Sequence, residues 1–347
     1  MIKQIRENLK LESRDKIDLI IKPTQACNFA CEFCSSNNIS NNNKILPIDF
    51  LCDYILNNNI DRIILNGGDP LMVSPLYYST LLTFIDNHQL NTRLSFTTNL
   101  WDFYNNPEKW IDIFRHPKVG VCTSFQYGNE RKLRNGTVYT EDLFIAVFNK
   151  FKNLIGYNLM FISVINKNNE HLAIKHIELA KKLDTECKLN PALASGKTLE
   201  PYPLYRIYQI YVDIIKKGLS PWEFNSKEIV KLYNNQSTCC PYNRNCYNGI
   251  RCIDPDMNIH TCGAFNDNHY VNLANNKKTY ELSKFNKIEI SRDNFYIKKE
   301  CLSCNLFKFC NSCYKNIADI KEFNLMDKHC INMKKLGPKL CEVCTSN

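Results

Sequence analysis

Residues 23–34 read PTQACNFACEFC and place Cys27, Cys31 and Cys34 in a CxxxCxxC spacing. Three thiolates leave a four-iron four-sulfur cluster one ligand short, whereas four thiolates saturate it and suit it to electron transfer or structure. The unsaturated iron is free to bind and activate a small molecule, so this spacing indicates catalysis. A zinc site or a redox loop can use a similar spacing, so other features of the chain are needed to distinguish an iron-sulfur cluster from these alternatives.

The composition is typical of a globular protein. The chain has 347 residues, 44% of them hydrophobic, which is enough for a barrel-sized domain and a smaller one. No run of about eighteen apolar residues occurs, and residues 1–15 lack an apolar signal core, so we expect a cytoplasmic protein with no membrane partner. The formal charge of +9 falls to roughly +4 once one open and two closed clusters are counted, which predicts no nucleic-acid partner.

The cysteines are unevenly distributed. Twelve of the eighteen follow residue 238. Disulfides do not persist in a reducing compartment, so metal clusters are the economical explanation for them. We predict an N-terminal segment (1–15), a barrel domain (16–217), a linker or helix (218–237) and a cysteine-rich domain (238–347) that needs its metal to fold.

Short β-rich runs alternate with helical patterns up to residue 217. We predict strands over residues 16–22, 60–65, 92–98, 118–125, 157–165 and 186–190, with helices over 48–57, 76–88, 107–114, 140–154, 170–183 and 204–217. The predicted fold class is therefore α/β, a partial (β/α)6 TIM-like barrel followed by a cysteine-rich domain. The cysteine triad directly follows the first strand, at the barrel end where active sites lie.

The triad, with Phe33 just before its last cysteine, resembles the signature of the radical S-adenosylmethionine (radical SAM) enzymes. The resemblance implies that SAM chelates the open iron. It also implies that one electron, from an external donor such as flavodoxin or ferredoxin, splits SAM into methionine and a 5′-deoxyadenosyl radical. In that family Phe33 would belong to the cofactor site.

Two more strand ends resemble SAM-binding motifs of that family. Residues 67–70 read GGDP, with Asp69 where the family has Glu, and Gly67 and Gly68 let the backbone approach a ligand closely. In the family this turn binds the SAM amino group. The third strand ends in Thr97, Thr98 and Asn99, which resembles a TNG motif that contacts the ribose, with Leu100 in place of Gly. A plain turn and a polar strand end are the structural alternatives.

The fourth strand carries the remaining candidates. Ser124 and Arg134 resemble a pattern in which Ser and Arg hold the SAM carboxylate, although Gln126 stands where Asp is common. Strand alternation places Cys122 on the face of Ser124, toward the barrel interior. Cys122 is therefore a candidate catalytic residue that donates a hydrogen atom to a substrate radical. The alternative is a small apolar filler, since free cysteine is commonly buried.

The cysteine-rich end resembles the SPASM domain of radical SAM enzymes, which holds two further four-iron four-sulfur clusters. The family order implies one auxiliary cluster on Cys240, Cys246, Cys262 and Cys313, and a second on Cys301, Cys304, Cys310 and Cys330. Met257 replaces a motif Gly, and the step from Cys310 to Cys313 is one residue short. Structural zinc is the alternative for such paired cysteines. The remaining four of this region, Cys239, Cys252, Cys341 and Cys344, have no assigned role.

The resemblance implies a peptide or protein substrate, modified oxidatively or crosslinked during ribosomal peptide or protein maturation. Gly263 follows Cys262 where sulfatase-maturing members have an Asp base, which argues against formylglycine formation. Because the first strand starts near residue 16, we expect no leader-binding winged helix, so the barrel, the cysteine-rich domain or a separate leader-peptide-binding protein would recognise the peptide. The alternatives are a small-molecule substrate, and a non-catalytic iron-sulfur carrier or zinc-stabilised binding protein.

Overall fold

A computed structural model describes residue 5 and residues 15–36, 43–240, 242, 246–260, 262–265 and 296–346. The predicted N-terminal segment lies almost entirely outside these residues. Within the described part of the chain, no helix combines the length and the hydropathy that a membrane crossing requires.

A parallel sheet forms the centre of the protein. Its six barrel strands are β1 (Ile17–Ile21), β2 (Ile60–Leu65), β3 (Arg93–Thr97), β4 (Val119–Ser124), β5 (Met160–Ile165) and β6 (Cys187–Pro191). Each pairs in parallel with the next along the chain. The predicted α/β partial barrel is therefore confirmed, and all six strands fall where the sequence places them.

The helices of the barrel follow its strands. They are α1 (Ile48–Leu56), α2 (Pro75–Asn87), α3 (Trp101–Asn105), α4 (Ile111–Phe114), α5 (Glu141–Ile155), α6 (Ala173–Lys182), α7 (Leu204–Lys216) and α8 (Phe224–Tyr233). The end signals are local: Thr140 caps the start of α5 with its hydroxyl, and Gly156 ends that helix at a φ of 102°. The predicted helix over 107–114 is instead a 3-10 turn, Pro107–Lys109, followed by the short α4. The helix α3 was not predicted.

The cysteine-rich region contains α9 (Cys246–Gly249), β7 (Ile250–Ile253), β8 (Ile259–His260), α10 (Phe307–Cys310), α11 (Tyr314–Glu322) and α12 (Met326–Thr345). Strand β7 pairs in parallel with β1, and β8 pairs antiparallel with β7. The sheet therefore has eight strands, in the order β6-β5-β4-β3-β2-β1-β7-β8. Part of the cysteine-rich region is continuous with the barrel sheet.

The two faces of the barrel strands differ in burial. Alternate side chains such as Ile63, Leu65, Phe96 and Phe161 are completely buried. The intervening side chains are half-buried, and we call the surface they form the lumen face; it includes Ser95, Thr97, Cys122, Ser124 and Lys188. The hydrophobic core thus lies under the helices, and the lumen face remains accessible for a ligand.

Candidate active site

The loop that carries the cysteine triad is held on one side by the segment after β4. The amide of Ala30 donates to the carbonyl of Lys132 at 2.8 Å, and the amide of Glu32 donates to the carbonyl of Glu130 at 2.9 Å. The amide of Arg134 reaches back to the carbonyl of Asn28 at 3.1 Å. This backbone pairing fixes the path of the loop independently of the cysteine side chains.

The Gly67–Gly68 turn holds the loop on a second side. The amide of Gly68 donates to the carbonyl of Thr24, and the amide of Asp69 donates to the carbonyl of Ala26 at 2.8 Å. A Cβ on Gly68 would lie 2.0 Å from the oxygen of Ala26, and Gly67 has a φ of 121°. The two glycines are therefore required for contact between this turn and the cysteine loop.

A third support comes from the loop after β6. A Cβ on Gly196 would lie 2.3 Å from the backbone of Ser35, and the φ of Gly196 is 60°. The next residue, Lys197, donates its amide to the carbonyl of Cys34 at 3.0 Å. Sequence reasoning missed Gly196, because a lone glycine in a loop gives no signal of a partner about 160 residues away.

The sulfur atoms of the triad lie in a site that suits a metal cluster. Backbone amides donate to two of them, from Phe29 to Cys27 Sγ and from Ser36 to Cys34 Sγ, both at 3.4 Å. Burial raises the pKa of Cys27, and the nearby charges of Asp69, Cys34 and Cys31 raise it further. Because the ligand is the thiolate, bound iron would supply the positive charge that this site lacks.

The carboxylate of Asp69 is completely engaged by protein donors. It accepts from the amide of Leu71 at 2.9 Å, from the amide of Asn99 at 2.8 Å and from the hydroxyl of Thr98. Burial raises the pKa of Asp69 to about 6, while these three donors oppose the increase. The Asp69 side chain therefore joins the ends of β2 and β3 and positions the turn.

Asn99 connects the end of β3 to the triad loop. Its side-chain amide donates to Asn28 Oδ1 at 2.7 Å and lies 3.8 Å from Cys27 Sγ, while its oxygen accepts from the amide of Trp101. The following residue, Leu100, is buried and has a φ of 59°. This is the left-handed conformation that favours the Gly of the family motif.

Three of the predicted site residues lie on the lumen face. Thr97 is in register with Cys122 on the neighbouring strand, and Ser124 follows two residues later on the same face. Burial raises the pKa of Cys122 to about 12, although the nearby charge of Lys188 opposes this. The Cys122 side chain is therefore an S–H group at neutral pH, the form that can donate a hydrogen atom.

Two arginines flank the triad loop differently. The predicted Arg134 is exposed, and its Nε donates to the carbonyl oxygen of Cys27. Arg131, which sequence reasoning missed, is buried with its guanidinium 5.8 Å from the ring centre of Phe29 and 5.7 Å from that of Phe33. Among the described residues its Nε has no hydrogen-bond partner. The sequence signal that could have identified Arg131 is its position as a second arginine, three residues before Arg134.

A cavity of about 240 Å³ opens beside Phe33. Its lining includes Glu130, Asn166, Asn168, Lys197 and Tyr202, all beyond the carboxyl ends of the central strands. The side-chain amides of Asn166 and Asn168 each donate to the carboxylate of Glu130 at 2.7 Å, and the side-chain amide of Gln126 donates to it at 3.2 Å. A polar cavity thus adjoins the aromatic side chain of the triad loop.

The structure brings the first predicted auxiliary set together. Burial raises the pKa of Cys246, and the nearby charges of Cys262, Cys313 and Cys240 raise it further. Burial and the charges of Cys240 and Cys313 likewise raise the pKa of Cys262. The four side chains therefore lie close together. Cys240 adjoins the lumen face, because Lys188 donates to its carbonyl oxygen at 3.0 Å. The shortened spacing before Cys313 does not keep this residue away from its predicted partners.

The second predicted set surrounds a cavity. Cys301, Cys304, Cys310 and Cys330 all line it, together with apolar side chains that include Phe307 and Met333. Burial raises the pKa of Cys310, and the nearby charges of the other three cysteines raise it further. Four thiols around one enclosed space match the donor set of a four-iron four-sulfur cluster.

The four unassigned cysteines differ in their surroundings, and Cys239 and Cys252 lie beside two members of the first set, Cys240 and Cys262. Cys239 is exposed, Cys252 is buried in β7, and Cys341 and Cys344 lie one turn apart on α12. Within the residues that the structure describes, no three His, Cys, Asp or Glu side chains lie close enough to hold a single metal ion. The fit to clusters therefore rests on the cysteine groupings and the cavity.

Sequence comparison agrees with this geometry. Residues 21–180 match the model of the Radical SAM superfamily. The chain is 22% identical over 349 residues to the cysteine-type anaerobic sulfatase-maturating enzyme of Clostridium novyi (strain NT), covering 86% of this chain and 88% of that protein.

Two solved structures have a similar fold. The anSMEcpe structure with bound AdoMet and the Cp18Cys peptide is 16% identical, with a TM-score of 0.68 over 95% of this chain and 99% of that chain. SuiB of Streptococcus suis bound to the precursor peptide SuiA is 17% identical, with a TM-score of 0.58 over 91% of this chain and 75% of that chain.

The three-cysteine loop follows the first strand of the partial barrel and lies within the residues that match the Radical SAM superfamily. The chain contains a Radical SAM domain over residues 21–180. It is related to the sulfatase-maturating enzyme of Clostridium novyi.

Proposed function

We propose that this enzyme abstracts a hydrogen atom from a side chain of a peptide or protein, leading to an oxidative modification or a crosslink during maturation. The observation that supports this most strongly is the triad loop, which is held by the segments that follow β2, β4 and β6. When bound, SAM and the reduced cluster supply the 5′-deoxyadenosyl radical. The protein supplies binding, orientation and exclusion of side reactions.

Cys27, Cys31 and Cys34 would hold the SAM-binding cluster. The proposed SAM contacts come from the strand ends and the triad loop: Phe33, Gly67, Gly68, Asp69, Thr97, Thr98, Asn99, Ser124 and Arg134. Asp69, Thr98 and Asn99 act largely by holding one another, since their side chains are hydrogen-bonded together or to the cysteine loop. The contacts to the ligand itself would then come from Thr97 and Ser124 on the lumen face, from the Gly67–Gly68 turn and from Arg134, whose Nε also donates to the carbonyl oxygen of Cys27.

The two cysteine sets at the C-terminal end would hold auxiliary clusters. Their ligands interleave along the chain, since Cys313 of the first set follows three ligands of the second. Neither cluster can therefore form before the whole segment folds. Lys188 donates to the carbonyl oxygen of Cys240, which supports a position of the first auxiliary cluster beside the lumen face and a role near the substrate.

A peptide substrate is supported by the structures with a similar fold, which include anSMEcpe with a bound Cp18Cys peptide and SuiB bound to the precursor peptide SuiA. Formylglycine is not the product we propose. Gly263 has no side chain to act as a base after Cys262, and a Cβ there would meet Cys252 Sγ at 3.6 Å and Ile20. A carboxylate base for formylglycine formation would have to come from another part of the chain.

The test is anaerobic reconstitution followed by incubation with SAM and a reductant. Three clusters predict roughly twelve irons and twelve sulfides per chain, and 5′-deoxyadenosine should form. Cys34→Ala should abolish its formation and keep roughly eight irons, whereas Cys52→Ala, a half-buried cysteine on α1, should behave as the wild type. Zinc without sulfide would refute the cluster assignment, and absence of 5′-deoxyadenosine with verified clusters would refute the enzyme.

The substrate class has its own test. Short peptides encoded beside this gene should accelerate SAM cleavage and gain a mass change in tandem mass spectrometry. If none of them changes the rate or is modified, while a small molecule does, the substrate is not a peptide.

A further inference from the structure

The cavity of the second auxiliary set has an unexplained polar atom in its wall. His329 precedes the predicted ligand Cys330 on α12 and lines the cavity together with all four cysteines. Its side chain is 4% exposed, and among the described residues its Nε2 has no hydrogen-bond partner. A buried ring nitrogen without a hydrogen-bond partner is unfavourable, so a partner for Nε2 is expected inside the cavity.

The other polar side chains of this wall are already engaged or reach solvent. Asn311 accepts from the amide of Ile297 at 2.7 Å, and its side chain also hydrogen-bonds Cys301. Lys298 pairs with Asp327, and Lys334 is exposed. The remaining lining near His329 is apolar, with Ile297, Leu306, Phe307 and Met333. Among the described residues, no acceptor for Nε2 lies on this side, whereas a cluster in the cavity would provide one.

We propose that His329 Nε2 donates a hydrogen bond to a sulfur atom of the cluster held by Cys301, Cys304, Cys310 and Cys330. This inference rests on the proposed function, which assigns a four-iron four-sulfur cluster to that cavity. His329 is a positioning residue, because it acts on the cluster and not on the substrate.

The hydrogen bond would make the cluster easier to reduce. One electron from a low-potential carrier, or from dithionite in the experiment, adds one negative charge to the cluster and moves no proton. A donor N–H dipole stabilises the reduced cluster more than the oxidised one, and hydrogen bonds to sulfur are among the factors that set the potential. Removing His329 should therefore lower the reduction potential of this cluster.

The experiment is an EPR-monitored redox titration of the fully loaded protein and of two variants. His329→Leu should shift one of the three cluster potentials to more negative values, by about a tenfold change in the reduction equilibrium, which is about 59 mV for one electron. His329→Gln keeps an N–H donor and should recover most of that shift. The other two clusters are internal controls.

His176→Leu is the matched control for loss of a buried imidazole. His176 is also completely buried, but both of its ring nitrogens are bonded within the barrel, to the backbone of Tyr127 and Leu172. This variant should lose stability and leave all three potentials unchanged. An unchanged potential in fully loaded His329→Leu would overturn the proposal.

A second measurement keeps the test decisive if the variants lose their cluster. Pulsed EPR of the wild type labelled with ¹⁵N-histidine should show a weak nitrogen coupling to the reduced cluster. A strong coupling means that Nε2 binds iron directly, and no coupling means that it makes no contact, so either result overturns the proposal. Loading of only roughly eight irons in the wild type would instead refute the second auxiliary cluster itself.

Discussion

The hydroxyl of Thr98 donates to both carboxylate oxygens of Asp69, at 2.8 and 3.0 Å. The backbone amide of Asp69 in turn donates to Ala26, the residue before the first cysteine of the triad. The ends of β2 and β3 and the start of the cysteine loop are thus connected through one buried residue. Any change at this point should affect the geometry of SAM binding before it affects the rest of the barrel.

Thr98→Val tests that connection. It removes the hydroxyl donor from a buried carboxylate, which should cost about 1–3 kcal/mol, and it should raise the pKa of Asp69 further because a donor that lowers it is lost. We expect at least about a tenfold weaker SAM affinity, corresponding to about 1.4 kcal/mol, measured by equilibrium dialysis on the loaded protein.

The matched control is Thr92→Val. Thr92 is equally buried, precedes β3 at its opposite end and donates its hydroxyl to Ile60 at 2.8 Å. It should lower the apparent unfolding temperature to a similar extent without changing SAM affinity. Equal SAM affinities in both variants would show that the Thr98 hydroxyl has no special role in the site.

Gly68→Ala tests the contact between the glycine turn and the cysteine loop. The new Cβ would overlap the carbonyl oxygen of Ala26, so the loop must move away. We expect the variant to lose the SAM-binding cluster alone and to retain roughly eight of twelve irons, with no 5′-deoxyadenosine formed. Gly120→Ala is the control, because nothing lies within 4 Å of a Cβ there. Full iron content in Gly68→Ala would show that the loop tolerates the displacement.

Cys122→Ala distinguishes a hydrogen donor from a packing residue. If the S–H group donates a hydrogen atom, the variant should still cleave SAM but form at least about tenfold less product, measured by mass spectrometry of the substrate. Because burial raises the pKa of Cys122 to about 12, the wild-type yield should show no thiol titration at any pH below about 10. Unchanged product in the variant would leave Cys122 a packing residue.

Glu223→Gln tests a buried carboxyl that accepts from the backbone of β6. Burial raises the pKa of Glu223 to about 7, against donors that include the amides of Leu189 and Ser226. The folded protein therefore holds a proton that the unfolded chain has already lost, and stability falls as pH rises from about 4.5 to about 7, by up to about 3 kcal/mol. The glutamine of the variant does not titrate, so the variant should not lose this part of its stability as pH rises.

The readout is the apparent unfolding temperature of both proteins at one scan rate, at about pH 5 and about pH 8. Other groups titrate equally in the two proteins, so the variant should gain relative to the wild type as pH rises. A constant difference would contradict the raised pKa.

The local pattern of the sequence was sufficient to predict the barrel, since strand periodicity is a short-range signal. The two cysteine sets came from the resemblance to the SPASM domain, and their role as cluster ligands stays a prediction. The contacts that build the site are long-range. Gly196 against Ser35, and Arg131 between Phe29 and Phe33, depend on segments that meet only after folding. The helix α3 was missed because it has only five residues and its N-cap residue, Leu100, is apolar.

Two departures from the family motifs show where residue identity and backbone conformation separate. Leu100 and Met257 replace glycines of those motifs, yet both keep a positive φ, of 59° and 63°. A left-handed conformation costs a non-glycine residue about 1–2 kcal/mol, so other interactions must hold these turns. For Leu100 complete burial is one such interaction. At both positions the backbone thus keeps the left-handed conformation that a glycine would favour, although the glycine itself is absent.

The parallel pairing of β7 with β1 has a consequence for engineering this enzyme. Residues Asp18 to Ile21 are in register with Ile250 to Ile253, so the first barrel strand is also the docking strand of the cysteine-rich region. A chimera that exchanges only the chain beyond residue 238 would join strands that did not evolve as neighbours. Transfer of substrate specificity between relatives therefore requires β1 to be exchanged together with the C-terminal domain.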